Sequence, residues 1–164
     1  MCSIGILEWF AQLDHDELES LMLCMNAYPQ DYIDECHARV DAQLAAYDNL
    51  AKAVGNQAAL DTFEPVFFNN LVLVLDQLFV HRSRILEGKD GNAMNEVRVV
   101  CNSLLNNNSK LIADKGIKLN PTKSILKYQV GDEIKLSEAD FKRLSEAFFA
   151  AMETVFCEPV AVPQ

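Results

Sequence analysis

Phe63-Glu-Pro-Val-Phe-Phe-Asn-Asn-Leu-Val-Leu-Val-Leu-Asp-Gln-Leu-Phe-Val80 is the most apolar stretch of the chain, and its reading decides the fold. The segment Leu71 to Leu75 holds no polar residue, so periodicity alone does not separate a buried strand from a buried helix. Length separates them, because strands rarely exceed about ten residues and the apolar pattern here continues to Leu86. A helix over 63–86 is expected. Glu64, Asn69, Asn70 and Asp76 interrupt the run and leave too few consecutive apolar residues to span a bilayer.

Upstream, Ile6, Leu7, Trp9, Phe10 and Leu13 suggest a short first helix, and Asp14 with Glu17 has capping-box spacing for a second one, ending near Tyr28. Pro29 opens the next, whose stripe is Ile33, Cys36, His37, Val40, Leu44 and Tyr47, with Gly55 beyond its end. Downstream, Asn92 is an N-cap for a helix with the apolar face Met94, Val97, Val100, Cys101, Leu104 and Leu105, so residues 63–105 read as a helical hairpin. The texture then changes to alternation in SILKYQ-VGD-EIKL, where Gly131-Asp132 is a turn signal, and a β-hairpin over 124–136 is expected. Ser137 and Asp140 cap a last helix with Phe141, Leu144, Phe148, Met152 and Val155 on its apolar face. The expected fold is mainly α: one helical bundle-like domain over 1–157, of five to six helices with the hairpin before the last, and a frayed tail over 158–164.

The 164 residues are half apolar, with six glycines and five prolines, as suits one compact domain with a full core. The net charge of −10 argues against bulk nucleic-acid binding and against anionic membranes. Residues 1–80 carry 13 acidic residues against Arg39 and Lys52, whereas residues 81–164 carry 11 acidic and 12 basic residues. The second half is thus slightly basic. Five cysteines, an odd number without a CxxC pair, read as reduced thiols of a cytoplasmic protein. The N-terminus lacks the basic region of a secretory signal.

Chemistry concentrates in HRSRILEGKDGNAMNEVR, residues 81–98. On a helical wheel Arg82 lies about 20° from Leu71, among Leu75, Leu78, Ile85 and Leu86. A guanidinium in that stripe needs a carboxylate or a bound anion, because an unpaired buried charge costs several kcal/mol. Arg82, Lys89 and Arg98 can converge on the free amides where Asn92 and Asn95 start the next helix, which makes a small-anion or partner-protein site. Glu87, Asp90 and Glu96 are as close in sequence, so the ordinary alternative is a salt-bridge and capping network that locks the connection. The leading reading is a non-enzymatic binding module. The alternative is a small hydrolase or nuclease-like enzyme on a phosphate-containing substrate, with His81 as acid or base and Arg84 among the arginines stabilising phosphate charge. Self-association through Phe67, Phe68, Val72 and Phe79 is compatible with either.

No phosphate-binding loop, dinucleotide fingerprint, complete EF-hand or nucleophile elbow is present, and Asp34 three residues before His37 is the one metal-like pair. No cofactor and no metal are expected. The runs VHRSRILEGKDGNAMNEVRVVCNSLL and KSILKYQVGDEIKLSEADF resemble an uncharacterised family of small bacterial cytosolic proteins, over residues 63–156. The resemblance implies a bacterial source and an intracellular location and transfers no catalytic residue. The helical HEPN nucleases place an arginine before a histidine, an order that His81-Arg82 reverses.

Overall fold

The computed structural model describes residues 24–158. Within them four helices form: α1 Gln30–Ala53, α2 Gln57–Leu78, α3 Ala93–Asn106 and α4 Glu138–Phe156. The first expected helix and most of the second fall outside the described residues. The end of the second does not: Cys24 to Tyr28 is extended rather than helical. Met25 donates its amide to the His81 carbonyl and accepts from the Ser83 amide, while Tyr28 does the same with Phe156 and Glu158. These tertiary partners take the backbone groups a helix would have paired within itself.

α1 begins on Pro29 and buries Ile33, Cys36, Val40, Leu44 and Tyr47. His37, expected on that stripe, is exposed at its edge, with its ring against Phe149 at 4.5 Å. The Tyr32 hydroxyl donates to the Leu78 carbonyl and Tyr47 packs on Phe67 and Phe68, so α1 and α2 run antiparallel.

α2 starts six residues before the expected position, because the Asn56 side chain accepts from the Ala59 amide and caps it there. It runs through Pro65 and stops at Leu78 instead of Leu86. Ile85 and Leu86, placed by the wheel in the buried stripe, are 67% and 44% exposed. By length and composition α2 is long and apolar enough to cross a membrane, a test that core helices also pass. Its polar residues bond within the domain: Asn69 donates to the Ile134 carbonyl and accepts from the Leu136 amide, and Glu64 accepts from the Glu138 amide.

No strand forms among the described residues, and the expected hairpin over 124–136 is irregular chain. The turn at Gly131 is present, with φ of 95° and the Asp132 amide on the Gln129 carbonyl. Beyond the turn its flanks make no backbone-to-backbone bond with each other. The Glu96 carboxylate takes the amides of Ile125 and Leu126, the Tyr128 hydroxyl bridges the amide and carbonyl of Lys135, and the Ile134 amide goes to Ser109. Side chains and residues 109–111 supply the partners a ladder would have supplied. The alternation still buries Leu126, Ile134 and Leu136 against the helices.

α4 opens on the expected capping box of Ser137 and Asp140. It buries Phe141, Leu144, Phe148 and Met152, and also Phe149 and Phe156, whereas Val155 is 38% exposed. Two buried phenols report on this core. Burial pushes Tyr28, with neighbouring Tyr32 adding to it, and Tyr47, with Glu64 adding to it, up to about 12. A phenol that holds its proton more tightly in the folded state contributes stability that is complete below pH 10.0 and is lost as pH rises to about 12. Alkaline titration is expected to show phenolate absorbance from these two tyrosines appearing together with loss of helical signal. Ionisation of all four tyrosines near pH 10 in a chain that keeps its helical signal would contradict this packing.

Candidate functional site

The connection between α2 and α3 folds around Arg82, which is 1% exposed. Where α2 ends, the Phe79 amide turns back onto the Asp76 carbonyl and the Arg82 amide onto the Phe79 carbonyl, and Arg82 Nη1 adds a second bond to each, at 2.9 Å to Phe79 and 3.3 Å to Asp76. Nη2 meets Asp76 Oδ1 at 2.6 Å and Nε meets Glu87 Oε1 at 2.5 Å. The face of the guanidinium lies 5.3 Å from the centre of the Phe148 ring. A cation at a helix C-terminus also complements the partial negative charge there. The wheel thus buried Arg82 for a reason that does not hold, since the helix ends before it, yet the inference that it must be paired is met by Asp76 and Glu87.

Glu87, whose side chain is fully buried, also accepts from Arg84 Nη1 at 2.7 Å and faces Arg98 Nη1 at 3.3 Å. Asp76 lies 3.8 Å from Arg84 Nη2. Three guanidiniums therefore share two carboxylates, and the cluster keeps one positive charge in excess. Arg98 Nε has no hydrogen-bond partner.

The loop that follows is held by its own polar side chains. Asn92 caps α3 by accepting from the Asn95 amide and donates its side-chain amide to the Glu87 carbonyl and to Asp90. Asn95, fully buried, accepts from the Gly91 amide and donates to the Gly88 carbonyl. Gly91 has φ of 85°, and a Cβ there would stand 2.6 Å from the Lys118 carbonyl, so only glycine fits. Beside this contact the Lys118 amide donates to the Lys89 carbonyl, which brings residues 114–118 alongside the loop.

An open cleft of about 630 Å³ lies between them, lined by Arg84, Ile85, Lys89, Arg98, Asn102, Asp114 and Gly116. Lys89 makes no ion pair among the described residues. Asp114, the one carboxylate of the lining, accepts from the Gly116 amide at 2.7 Å. The lining thus brings two guanidiniums, an ammonium and a carboxamide to one cleft with a single carboxylate.

Of the residues expected to bind a ligand, Lys89 and Arg98 line this cleft. Arg82, Asn92 and Asn95 do not: their polar atoms are spent on ending α2, starting α3 and closing the loop. Arg84 is in the cleft lining, and His81 is exposed and outside it. Asn102, Asp114 and Gly116 were not singled out from the sequence, because the Gly91 to Lys118 contact that brings 114–116 to the loop has no local signature. Asp76 had one, as the acid that follows the apolar run Leu71 to Leu75, six residues before Arg82. No group of His, Cys, Asp and Glu among the described residues is arranged to hold a metal ion, and His37 faces Asp41 at 3.6 Å on the surface of α1. Comparison with protein-family models, with curated proteins and with solved structures finds nothing that matches this chain.

Proposed function

We propose that the protein is a non-enzymatic binding module that takes a small anion, a phosphate or carboxylate group, in the cleft between Arg84, Lys89 and Arg98. The observation that carries this reading is the uncompensated charge: three arginines on two carboxylates, opening on a lysine that has no ion pair. Internal carboxylates hold Arg84 and Arg98 in place before a ligand arrives, which lowers the entropy cost of binding. The hydrolase reading draws no support from this geometry, since His81 lies outside the cleft lining. The resemblance to small bacterial cytosolic proteins, with an odd number of cysteines and no CxxC spacing in the sequence, supports an intracellular setting, and the overall charge disfavours bulk nucleic acid as partner.

Lys89 is exposed and its side chain supports nothing else, so Lys89→Ala tests the cleft without disturbing the fold. Thermal unfolding in titrations of inorganic phosphate and of succinate at fixed ionic strength is expected to show saturable stabilisation of the wild type by at least one of them. Binding to Lys89→Ala is expected to be about tenfold weaker. Identical shifts in both proteins would reduce the effect to general salt stabilisation and sink the proposal.

A further inference from the structure

Of the residues expected to serve self-association, Phe68, Val72 and Phe79 are core residues with no exposure. The polar cleft is where the surface discriminates between ligands, and its charges are not all of one sign. Arg84, Lys89 and Arg98 share its lining with Asp114, and Asp114 pairs with none of them among the described residues. A carboxylate that served to offset the guanidiniums would lie within reach of them, as Asp76 and Glu87 do. Asp114 is held elsewhere. Its Oδ1 accepts from the Gly116 amide at 2.7 Å, its carbonyl accepts from the Ile117 amide at 3.1 Å, and the buried Ile117 side chain fixes that turn to the core. The Lys118 amide donates in turn to the Lys89 carbonyl, so Lys89 and Asp114 belong to segments that a backbone bond holds side by side. Two opposite charges without an ion pair therefore line one cleft.

We infer that the ligand of this cleft carries both charges, with a phosphate or carboxylate on Arg84, Lys89 and Arg98 and an ammonium on the second oxygen of Asp114. This extends the anion reading above, on which it rests, by a second pole. Size supports it: about 630 Å³ falls among the roughly 300–1,000 Å³ of pockets that take whole small organic ligands, and one phosphate or carboxylate group fills a small part of it. Charge supports it as well. A second anionic group would meet Asp114 with like charge, and an uncharged apolar body would cover that carboxylate without giving it a partner. An ammonium brings three donors and the opposite charge. The chemistry is that of amino acids and aminoalkyl phosphates, and Ile85, 67% exposed, is the one apolar side chain of the lining on which their carbon chain can rest.

Titration calorimetry of the full chain with matched pairs, at fixed ionic strength, separates the two poles. Phosphoethanolamine and ethyl phosphate differ in the ammonium, as do β-alanine and propionate. In at least one pair the amino compound is expected to bind about fivefold tighter. Net charge alone ranks each pair the other way, since the ammonium brings like charge toward three cations. Asp114→Asn, which keeps an oxygen for the Gly116 amide, is expected to abolish the preference and to bind ethyl phosphate or propionate at least as well as the wild type. Should Asp114→Asn fail to fold, Asp114→Ser retains a side-chain acceptor for the turn and serves the same test. Equal binding within both pairs, tighter binding of the simple anions, or a preference that survives loss of the Asp114 carboxylate overturns the second pole and leaves the anion reading standing. Glycerol phosphate that binds as tightly as phosphoethanolamine assigns Asp114 to a hydroxyl and overturns it too. No binding of any of these compounds, nor of inorganic phosphate or succinate, removes both readings together.

Discussion

Arg82→Met is expected to cost about 3–5 kcal/mol of folding stability, the range for breaking a buried ion pair from one side. Methionine fills similar volume, so the loss isolates the charge. It leaves Asp76 with Arg84 alone, at 3.8 Å, leaves Glu87 with two partly exposed arginines, and removes one of the two donors on each of the Asp76 and Phe79 carbonyls at the end of α2. Urea unfolding reads the effect as a lower midpoint with an unchanged slope. Arg82→Lys is expected to recover little of it, since one ammonium does not reach two carboxylates and two carbonyls in the directions a planar guanidinium serves. A loss under about 1 kcal/mol for Arg82→Met, the ordinary yield of surface pairs, would show that Arg82 is not the pivot of the connection.

Glu96→Gln is the second large effect, at about 2–4 kcal/mol, and it acts at the other side of the same helix start. The Glu96 carboxylate is 3% exposed and accepts from the amides of Ile125 and Leu126, both at 2.8 Å. No cation pairs with it among the described residues, so these two amides and the N-terminal turn of α3 carry its charge. A glutamine offers one acceptor and turns its NH₂ toward the second amide, leaving a buried donor without a partner. Hydrogen exchange is expected to show early loss of protection at Ile125 and Leu126, ahead of α4, with the midpoint of urea unfolding reduced. Protection at those amides that matches the wild type would mean that the segment is held by its apolar side chains alone.

The parts of this fold that were legible in the sequence are those whose cause is local. Pro29, Asn92 and the Ser137 to Asp140 box start their helices because a cap acts over three residues. Asn106 to Ser109 ends α3 where the backbone turns to positive φ at Asn108 and Ser109, a conformation that asparagine accepts more readily than most residues. The hairpin failed for the opposite reason: alternation and a turn signal describe one segment's preference, while Glu96, Asn69 and Ser109 compete for its backbone from 25 or more residues away in the case of Ile134 and farther in the others. The extension of α2 to Leu86 failed similarly, because Met25 and the Arg82 guanidinium reward leaving the helix early. For the candidate site, the sequence marked residues 81–98 as the dense polar stretch but did not separate residues that build the loop from those that face the cleft.

By itself, then, the chain's pattern determined a mainly helical domain, three of its helix starts and the requirement that Arg82 be paired, since capping, periodicity and the cost of a buried charge are properties of residue types and spacing. Only the tertiary structure decided which partners Arg82 and Glu96 took, that residues 114–118 close one side of the cleft, and which faces of α2 were covered. Those depend on segments far apart in sequence meeting in one place, where a buried amide, carbonyl or charge accepts the best partner within reach, whatever its distance along the chain.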